Sequence, residues 1–344
     1  MDAKITKKRL EHLLSYDWIK ILLAAFAAVM IWILIFTMTA TRITTTERFV
    51  IQNYYGVQYG ERARIYGDYS YGVIEAEIVD NMRAGGGTFS DLFASNLELS
   101  EGDIVLIADT PRNRQAKKDE QGNELKDAEG NVIYEYGESY LNAMIRTYGS
   151  RYFTRLDDGE TSKGYFTQMK EYLATYYRTE SEETKVFGGV SLTKASFDKD
   201  SLNEEAVETD FRARVAKNKD KRFKTEAQIV EGVKADKERI RSYLEAYENI
   251  FSYLEKGYVE LTSVSISISE ERTLEGAYGI NLCPSASTTM KNLKEHIYYN
   301  DFDGKITADN LNAVFMTFDK LDKDFQYENL LYLNALIQDV CTEL

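Results

Sequence analysis

The chain has 344 residues, a net charge of −14 and 44% hydrophobic residues, which is enough apolar material for a sizeable folded core. A chain this acidic repels phosphate backbones, so its composition excludes nucleic acid as a partner unless basic residues concentrate on one face. The one dense basic run, RARVAKNKDKRFK from Arg212, directly follows an acidic stretch at residues 203–210. We interpret it as a solvated turn rather than a site for polyanions.

The first predicted element is an apolar helix near the N-terminus. Residues 21–40 contain no charged side chain, and about twenty apolar residues in a helix cross the hydrocarbon core of a bilayer. The start of the chain therefore divides into a basic cytoplasmic tail at 1–18 and a transmembrane signal anchor at 19–41. A cleaved signal peptide is the competing interpretation, although its apolar region is typically shorter.

Basic residues flank the apolar segment unequally. Arg42 and Arg48 closely follow it, whereas a larger group precedes it: Lys4, Lys7, Lys8, Arg9 and Lys20. Cytoplasmic flanks of membrane spans carry the excess of lysine and arginine. The N-terminus is therefore predicted in the cytoplasm of a bacterial cell and residues 42–344 outside it, with membrane lipid as a partner of the helix.

Alternating strand and helix patterns follow the anchor. The segments ERFVIQNYYGVQ (47–58) and YSYGVIEAEIVD (69–80) are rich in β-branched and aromatic residues, which is typical of strands. Thr88 then caps a helix predicted over 89–97. The nearly all-apolar DIVLIAD (103–109) predicts a strand covered on both faces, as in a parallel sheet. These patterns together predict an α/β fold.

Residues 112–137 change character, because they are polar and highly charged and contain two similar turns at 120–123 and 129–131. Gly-Asn steps adopt positive φ readily, so this stretch predicts a protruding hairpin insertion. Beyond the insertion, the pattern predicts a short helix that ends at Gly149. An extended segment that ends in Leu-Asp-Asp at 156–158 follows that helix.

The second half of the chain alternates in the same way. Its best helix pattern begins at Thr225, which forms a predicted capping box with Gln228. The acidic stretch at 203–210 is a candidate boundary between two structural units of the predicted extracytoplasmic domain. The other elements predicted here are a helix over 165–177, a glycine-containing strand KVFGGVSL at 185–192, a strand over 259–268, and helices over 307–318 and 327–341.

Recognisable catalytic patterns are scarce in the sequence. The chain has two histidines, His12 and His296, and His12 lies in the predicted cytoplasmic tail. The sequence contains no nucleophile elbow, zinc-protease helix or phosphate-binding lysine loop. A hydrolase that uses a pair of carboxylates stays open, because acidic residues are numerous and the sequence gives no distances. We predict a non-catalytic protein without a cofactor.

Two further patterns are interpreted as structural. AGGGTF at 84–89 precedes a helix, whose free N–H groups can hold an anion, but three glycines more often make a turn. Tyrosines crowd residues 54–71 and offer rings for stacking on a sugar. We interpret these rings as packing groups, because both tryptophans, which bind sugars best, lie in the membrane segment.

The stretch NDFDGKIT resembles part of a calcium loop. Asp301, Asp303 and Gly304 take the third, fifth and sixth positions of a twelve-residue loop, but Tyr299 and Asn310 replace the carboxylates at positions one and twelve. Two carboxylates without further ligands bind calcium weakly. The pair Asp301 and Asp303 is retained as a candidate metal site, and the competing interpretation is a turn between two helices.

Several segments carry a resemblance to a known family. Gly102-Asp103, the strand that follows it, Leu156-Asp157 and YGINLCPSASTTMKNL at 278–293 together resemble the extracellular solute-binding proteins of ABC importers. The resemblance implies a two-lobed, periplasmic-binding-protein-like α/β domain, with a first lobe at about 42–160 that contains the insertion and a second lobe at about 161–344. It also implies an ABC transporter permease and a small-molecule solute as partners.

In such a protein the ligand lies between the lobes, at the carboxyl ends of the strands. On that resemblance, Asp109 is the first candidate ligand-binding residue, and Tyr54 and Tyr55 at the end of the first strand are the next. The alternative is a structural or adhesive surface module, with calcium as a weak ligand. Cys283 and Cys341 allow a single disulfide in this domain without requiring one.

Overall fold

The computed structural model describes residues 11, 18–39, 49–60, 76–79, 87–100, 102–218, 222–269, 272–285, 287–317 and 327–341. The chain divides into two compact units, Met1–Arg42 and Ile43–Leu344, close to the predicted end of the anchor. A further division of the second unit into two lobes near residue 160 is not shown, so the two-lobed arrangement stays a prediction.

The first unit contains the predicted apolar helix, α1 (Trp18–Thr39). Its segment Trp18–Phe36 has a mean hydropathy of 2.7 and none of it is buried against protein. A 22-residue helix is about 33 Å long, which matches the thickness of a bilayer core. This length and composition fit a single-pass anchor or a signal sequence. The predicted basic tail lies almost entirely outside the described residues.

The second unit is built around a mixed sheet. The elements of its first half are β1 (Phe49–Asn53), β2 (Gln58–Tyr59), β3 (Ala76–Val79), α2 (Gly87–Glu98), β4 (Ile104–Ala108), β5 (Arg114–Ala116), β6 (Tyr134–Tyr136), α3 (Tyr140–Tyr148) and α4 (Tyr165–Tyr176). Those of its second half are β7 (Thr179–Phe187), β8 (Val190–Phe197), α5 (Glu204–Asn218), α6 (Glu226–Glu255), β9 (Glu260–Ser269), β10 (Arg272–Asn281), β11 (Ile297–Asn300), β12 (Ile306–Thr307), β13 (Leu311–Phe315) and α7 (Glu328–Val340).

Within the described residues, the main sheet has the strand order β3-β1-β4-β13-β10-β9. Strand β1 pairs in parallel with both β3 and β4, whereas β13, β10 and β9 join through antiparallel pairs. A smaller sheet orders β12-β11-β2. The mixed α/β class predicted from the sequence is confirmed.

Both faces of the main sheet are covered, because β1 and β4 are buried along their whole lengths. Phe49, Ile51 and Leu106 face a core formed with α4, α6, α7 and β8. Val105 and Ile107 face a second core formed with α2 and α3. Residues that alternate along a strand point to opposite faces, so β4 carries an apolar side chain at every position and β1 does so over its first three.

Four sequence-based predictions are wrong, and one of them is the turn between two helices in NDFDGKIT, which lies between β11 and β12 instead. KVFGGVSL is not one strand but the turn of the hairpin β7–β8, because Gly188 and Gly189 both adopt positive φ. The predicted helix over 307–318 is instead β12 and β13, as far as the described residues reach. The basic run from Arg212 starts inside α5 rather than in a turn, and Arg212 pairs there with Glu208.

A buried ion network joins α5 to α6. The carboxylate of Asp236, which is 3% exposed, lies 3.0 Å from the guanidinium of Arg214 and also pairs with Arg239, which is 4% exposed. Charges this deeply buried are tolerated when they are paired and hydrogen-bonded. The network therefore fixes the position of α5 on the long helix.

Candidate functional site

The main sheet has a topological switch point between β1 and β4. The chain leaves β1 for β3 on one side and returns through α2 to β4 on the other side. In open α/β sheets, ligands bind at the carboxyl ends of two strands related in this way. Tyr54 and Tyr55 directly follow β1, and Asp109 directly follows β4. The structure therefore places the three predicted ligand-binding residues on the same edge of the sheet.

Tyr54 and Tyr55 have different surroundings. Tyr54 is 8% exposed and packs edge-on against Phe89 and Phe93, with ring centroids 5.2 and 5.1 Å away. Burial raises the pKa of its hydroxyl. Tyr55 is 51% exposed, and its ring centroid lies 4.9 Å from that of Tyr140 on α3. Tyr54 thus belongs to the core, and Tyr55 presents its ring to solvent.

The backbone of Tyr55 is strained. Its φ is 36°, a left-handed conformation that an L-residue with a side chain adopts at a cost of about 1–2 kcal/mol. Strained residues of this kind concentrate at functional sites, where the surrounding structure holds them in place. Gly56 follows with a φ of 95°, so a glycine takes the second left-handed position and the strain falls on the exposed tyrosine.

The carboxylate of Asp109, which follows β4 in the chain, lies beside the N-terminus of α3. The side chain of Ser139 and the backbone N–H of Leu141 donate hydrogen bonds to its carboxylate, and burial raises its pKa above the ordinary 3.8. The Oδ1 atom is buried and accepts no hydrogen bond within the part of the chain that the structure describes. Asp109 therefore has a structural role at the helix N-terminus and one oxygen that faces no donor there.

The raised pKa of Asp109 gives stability a defined pH dependence. Folding favours the protonated carboxyl, so its contribution is fully present below the ordinary pKa of 3.8 and is lost as pH rises through the folded-state pKa. We expect Asp109→Asn to raise Tm by a few degrees at pH 7 and to leave Tm unchanged at pH 3. Thermal unfolding at both pH values, with the exposed Glu120→Gln as control, measures this. An Asp109→Asn protein no more stable than the parent at pH 7 would contradict the assignment.

The insertion is a hairpin, as predicted, and we call residues 112–137 the arm. Its base pairs β5 with β6, and residues Pro111 and Ser139 bridge the two ends of the arm. Further out, the backbones of Lys117, Leu125 and Ile133 form a closed ring of hydrogen bonds, with donor-to-acceptor distances of 2.8 to 2.9 Å. The arm thus leaves the sheet between Asp109 and Tyr140, beside the switch point.

Three turns of the protein share one geometry. In each, an aspartate Oδ1 accepts hydrogen bonds from the backbone N–H groups two and four residues later, and the glycine three residues later has positive φ. Two of these turns are in the arm and the third is the calcium-like stretch: Asp119–Asn123, Asp127–Asn131 and Asp301–Lys305. The Oδ1 of Asp301 is therefore engaged with its own backbone, as in the two arm turns.

The arm is attached to the third turn through Arg114. Its guanidinium lies 2.6 Å from the carboxylate of Asp303, 5.1 Å from the ring of Phe302 and 4.8 Å from the ring of Tyr134. The third turn joins β11 to β12, and β11 pairs with β2, which begins soon after Tyr55. Arg114 thus connects the arm, which follows β4, to the third turn, which is linked through β11 to the segment that follows β1.

Loss of this contact tests how the arm is held. We expect Arg114→Ala to speed amide hydrogen exchange several-fold in residues 112–137 and 301–307, because both the ion pair and the ring contacts disappear. The matched control is Lys117→Ala, which removes a cation of the same arm whose ion pair, with Glu135 at 3.6 Å, lies within the arm. Equal exchange in the two variants would show that Arg114 does not hold the arm.

The remaining sequence-based candidates are placed as follows. The described residues contain no cluster of three or more side chains able to hold a metal ion. Asp301 and Asp303 therefore gain no third carboxylate or histidine ligand from these residues, and Asp303 pairs with Arg114. Cys283 and Cys341 are both buried as free thiols, so the disulfide that the sequence allowed is not formed. The glycines at 85–86 lie outside the described residues.

Sequence reasoning missed Asn53, the last residue of β1. It is 1% exposed, and neither its amide oxygen nor its amide nitrogen has a hydrogen-bond partner among the described residues. The signal that points to it is the polar pair Gln52-Asn53 at the end of a strand that begins Phe-Val-Ile. Comparison with known proteins adds no assignment, because no family model, no curated protein and no solved structure matches this chain.

Proposed function

We propose that this chain is a membrane-anchored, extracytoplasmic protein that captures a small solute at the carboxyl edge of its sheet without catalysis, beside an ABC importer. The observation that carries the proposal is Tyr55, a strained and half-exposed ring at the switch point. The parallel order β3-β1-β4 supports it, because this is the strand arrangement in which α/β sheets bind ligands.

The surroundings of Tyr55 favour binding over chemistry. Its ring contacts Tyr140 and Phe89, with centroids 4.9 and 5.7 Å away, and within this aromatic cluster Tyr55 presents its ring to solvent. Aromatic rings of this kind bind the apolar face of a ligand through stacking. The carboxylate of Asp109 is hydrogen-bonded to the start of α3, which supports a positioning role for it rather than proton transfer.

A thermal-shift screen of the full-length protein in detergent tests this function. A ligand that binds only the folded state stabilises it, by about 2.7 kcal/mol at one hundred times its Kd. We expect one class among sugars, amino acids and short peptides to raise Tm in the parent protein and not in Tyr55→Ala. The control is Tyr136→Ala, which removes another exposed tyrosine, 60% exposed, from the arm.

The outcomes separate the two candidate functions. A shift that survives in Tyr55→Ala would show that the solute binds elsewhere, and a screen without any shift would contradict solute capture. A shift with calcium that EDTA reverses would favour the structural or adhesive module instead. The arm, with its exposed Leu125, Ile133 and Tyr136, is the surface that such a module would present.

A further inference from the structure

Asn53 differs from the other buried asparagines of the described chain. Asn281, Asn312, Asn329 and Asn334 all make side-chain hydrogen bonds. Asn312, for example, accepts a bond of 2.6 Å from the hydroxyl of Thr262 and donates one of 2.9 Å to the carbonyl of Asn310. Asn53 is buried to the same degree and makes none among the described residues. Its amide is therefore the exception that needs an explanation.

The position of Asn53 makes this amide unfavourable in the empty protein. Its side chain projects from the same face of β1 as Phe49 and Ile51, and Val57, four residues later, belongs to the same apolar core. A buried amide without partners carries the full desolvation penalty of its donor and its acceptor. Folding alone is better served by an apolar residue here, so the amide indicates a partner that arrives from outside the chain.

We propose that Asn53 is the deep anchor of the solute site and that the solute carries an uncharged carboxamide, as in a primary amide or a peptide bond. This inference rests on the proposed function. A carboxamide complements the side chain atom for atom, because its N–H donates to Asn53 Oδ1 while its carbonyl accepts from Nδ2. Neither atom of Asn53 supplies the charge that selects an anionic or cationic group.

Entry to Asn53 requires a local opening, because the residue is only 1% exposed. The turn that directly follows it holds the strained Tyr55 and the left-handed Gly56. Movement of this turn relieves the strain at Tyr55. The ring of Tyr55 packs beside α2 and α3, whereas Asn53 projects from the opposite face of β1. A solute that contacts both residues therefore crosses the carboxyl edge of the sheet at this turn.

The test compares the same substitution, to leucine with its asparagine-like branching, at two buried asparagines. We expect Asn53→Leu to raise the Tm of the solute-free protein by about 2 °C or more, because it removes an unsatisfied amide. Asn312→Leu is expected to lower Tm, since it breaks two hydrogen bonds and leaves Thr262 without its acceptor. N-acetylglycinamide, an uncharged amide probe, is expected to raise Tm in the parent protein and not in Asn53→Leu.

Each contrary result overturns the inference. If Asn53→Leu lowers Tm as much as Asn312→Leu, the amide is satisfied in the empty protein. If N-acetylglycinamide gives no shift, or an equal shift in the parent and in Asn53→Leu, the amide class is wrong. A shift with glucose that depends on Tyr55 but not on Asn53 would preserve solute capture and reject this inference, so the two proposals fail separately.

Discussion

Removal of residues 1–41 is expected to release the protein entirely from the membrane fraction. Helix α1 supplies 22 predominantly apolar residues, and each leucine, isoleucine, phenylalanine or valine near the centre of a span favours insertion by about 0.3–0.6 kcal/mol. In a bilayer, their sum would make insertion effectively irreversible. The measurement is carbonate extraction of membranes that hold either the full chain or the shortened one. Recovery of the shortened chain in the membrane pellet would show a second attachment.

The orientation of the anchor is tested by cysteine labelling in intact cells. Cys283 and Cys341 are 2% and 8% exposed, so they provide a slowly reacting background. A membrane-impermeant maleimide is expected to label Lys118→Cys on the exposed arm and to spare Lys7→Cys until the membrane is permeabilised. Labelling of Lys7→Cys in intact cells would reverse the proposed topology. Absence of the Lys7 site from the mature protein would identify a cleaved signal peptide.

Asp236→Ala is expected to lower the free energy of unfolding of the second unit by about 3–5 kcal/mol. The substitution leaves the guanidinium of Arg239 buried without this counter-ion and weakens the link from Arg214 on α5 to α6. Denaturant unfolding measures the loss as a lower midpoint at unchanged slope. The loss is a large part of the stability of an ordinary domain, which is about 5–15 kcal/mol in total.

A matched substitution separates the effect of burial on stability from the effect of losing a charge. Glu208→Ala removes a carboxylate from α5, but its partner Arg212 on the same helix is 36% exposed and the pair is accessible to water. Exposed ion pairs contribute little to stability, so the midpoint is expected to stay close to that of the parent. If the two variants lose the same stability, the buried network is not what holds α5 in place.

Local patterns predicted much of the fold. The uncharged run of the anchor, the capping box of Thr225 with Gln228 and the turn residues of the arm each act within a few residues, and the structure shows all three features. The strand DIVLIAD was predicted from its consecutive apolar residues, which a strand covered on both faces requires.

The wrong predictions arise where contacts with neighbouring elements decide the secondary structure. Strand β13 is buried at all five positions, and a short, mostly apolar run suits a buried helix as well as a strand. The prediction of β7 fails for the opposite reason, because this strand is exposed at nearly every position and shows no alternation of buried and exposed residues. Its strand conformation comes from pairing with β8, which no pattern within residues 179–187 records.

The candidate site was predictable only in part. The carboxyl ends of β1 and β4 could be located from the sequence, and so could Tyr54, Tyr55 and Asp109. The distinction between the buried Tyr54 and the exposed Tyr55 depends on α2 and α3, which pack against them. Asn53 and Asn312 are the same residue type at similar burial, and only the tertiary arrangement gives hydrogen bonds to one and not to the other.

The length of the arm can change in steps of eight residues. Lys117, Leu125 and Ile133 are eight residues apart, and each intervening loop closes through its own aspartate turn. Excision of residues 118–125 would bring Lys117 and Ile133 together as an ordinary hydrogen-bonded antiparallel pair, with the β5–β6 base undisturbed. Duplication of the same eight residues would add one more loop. Natural variation, or a designed epitope, can therefore enter this protein as whole eight-residue modules without reaching the sheet.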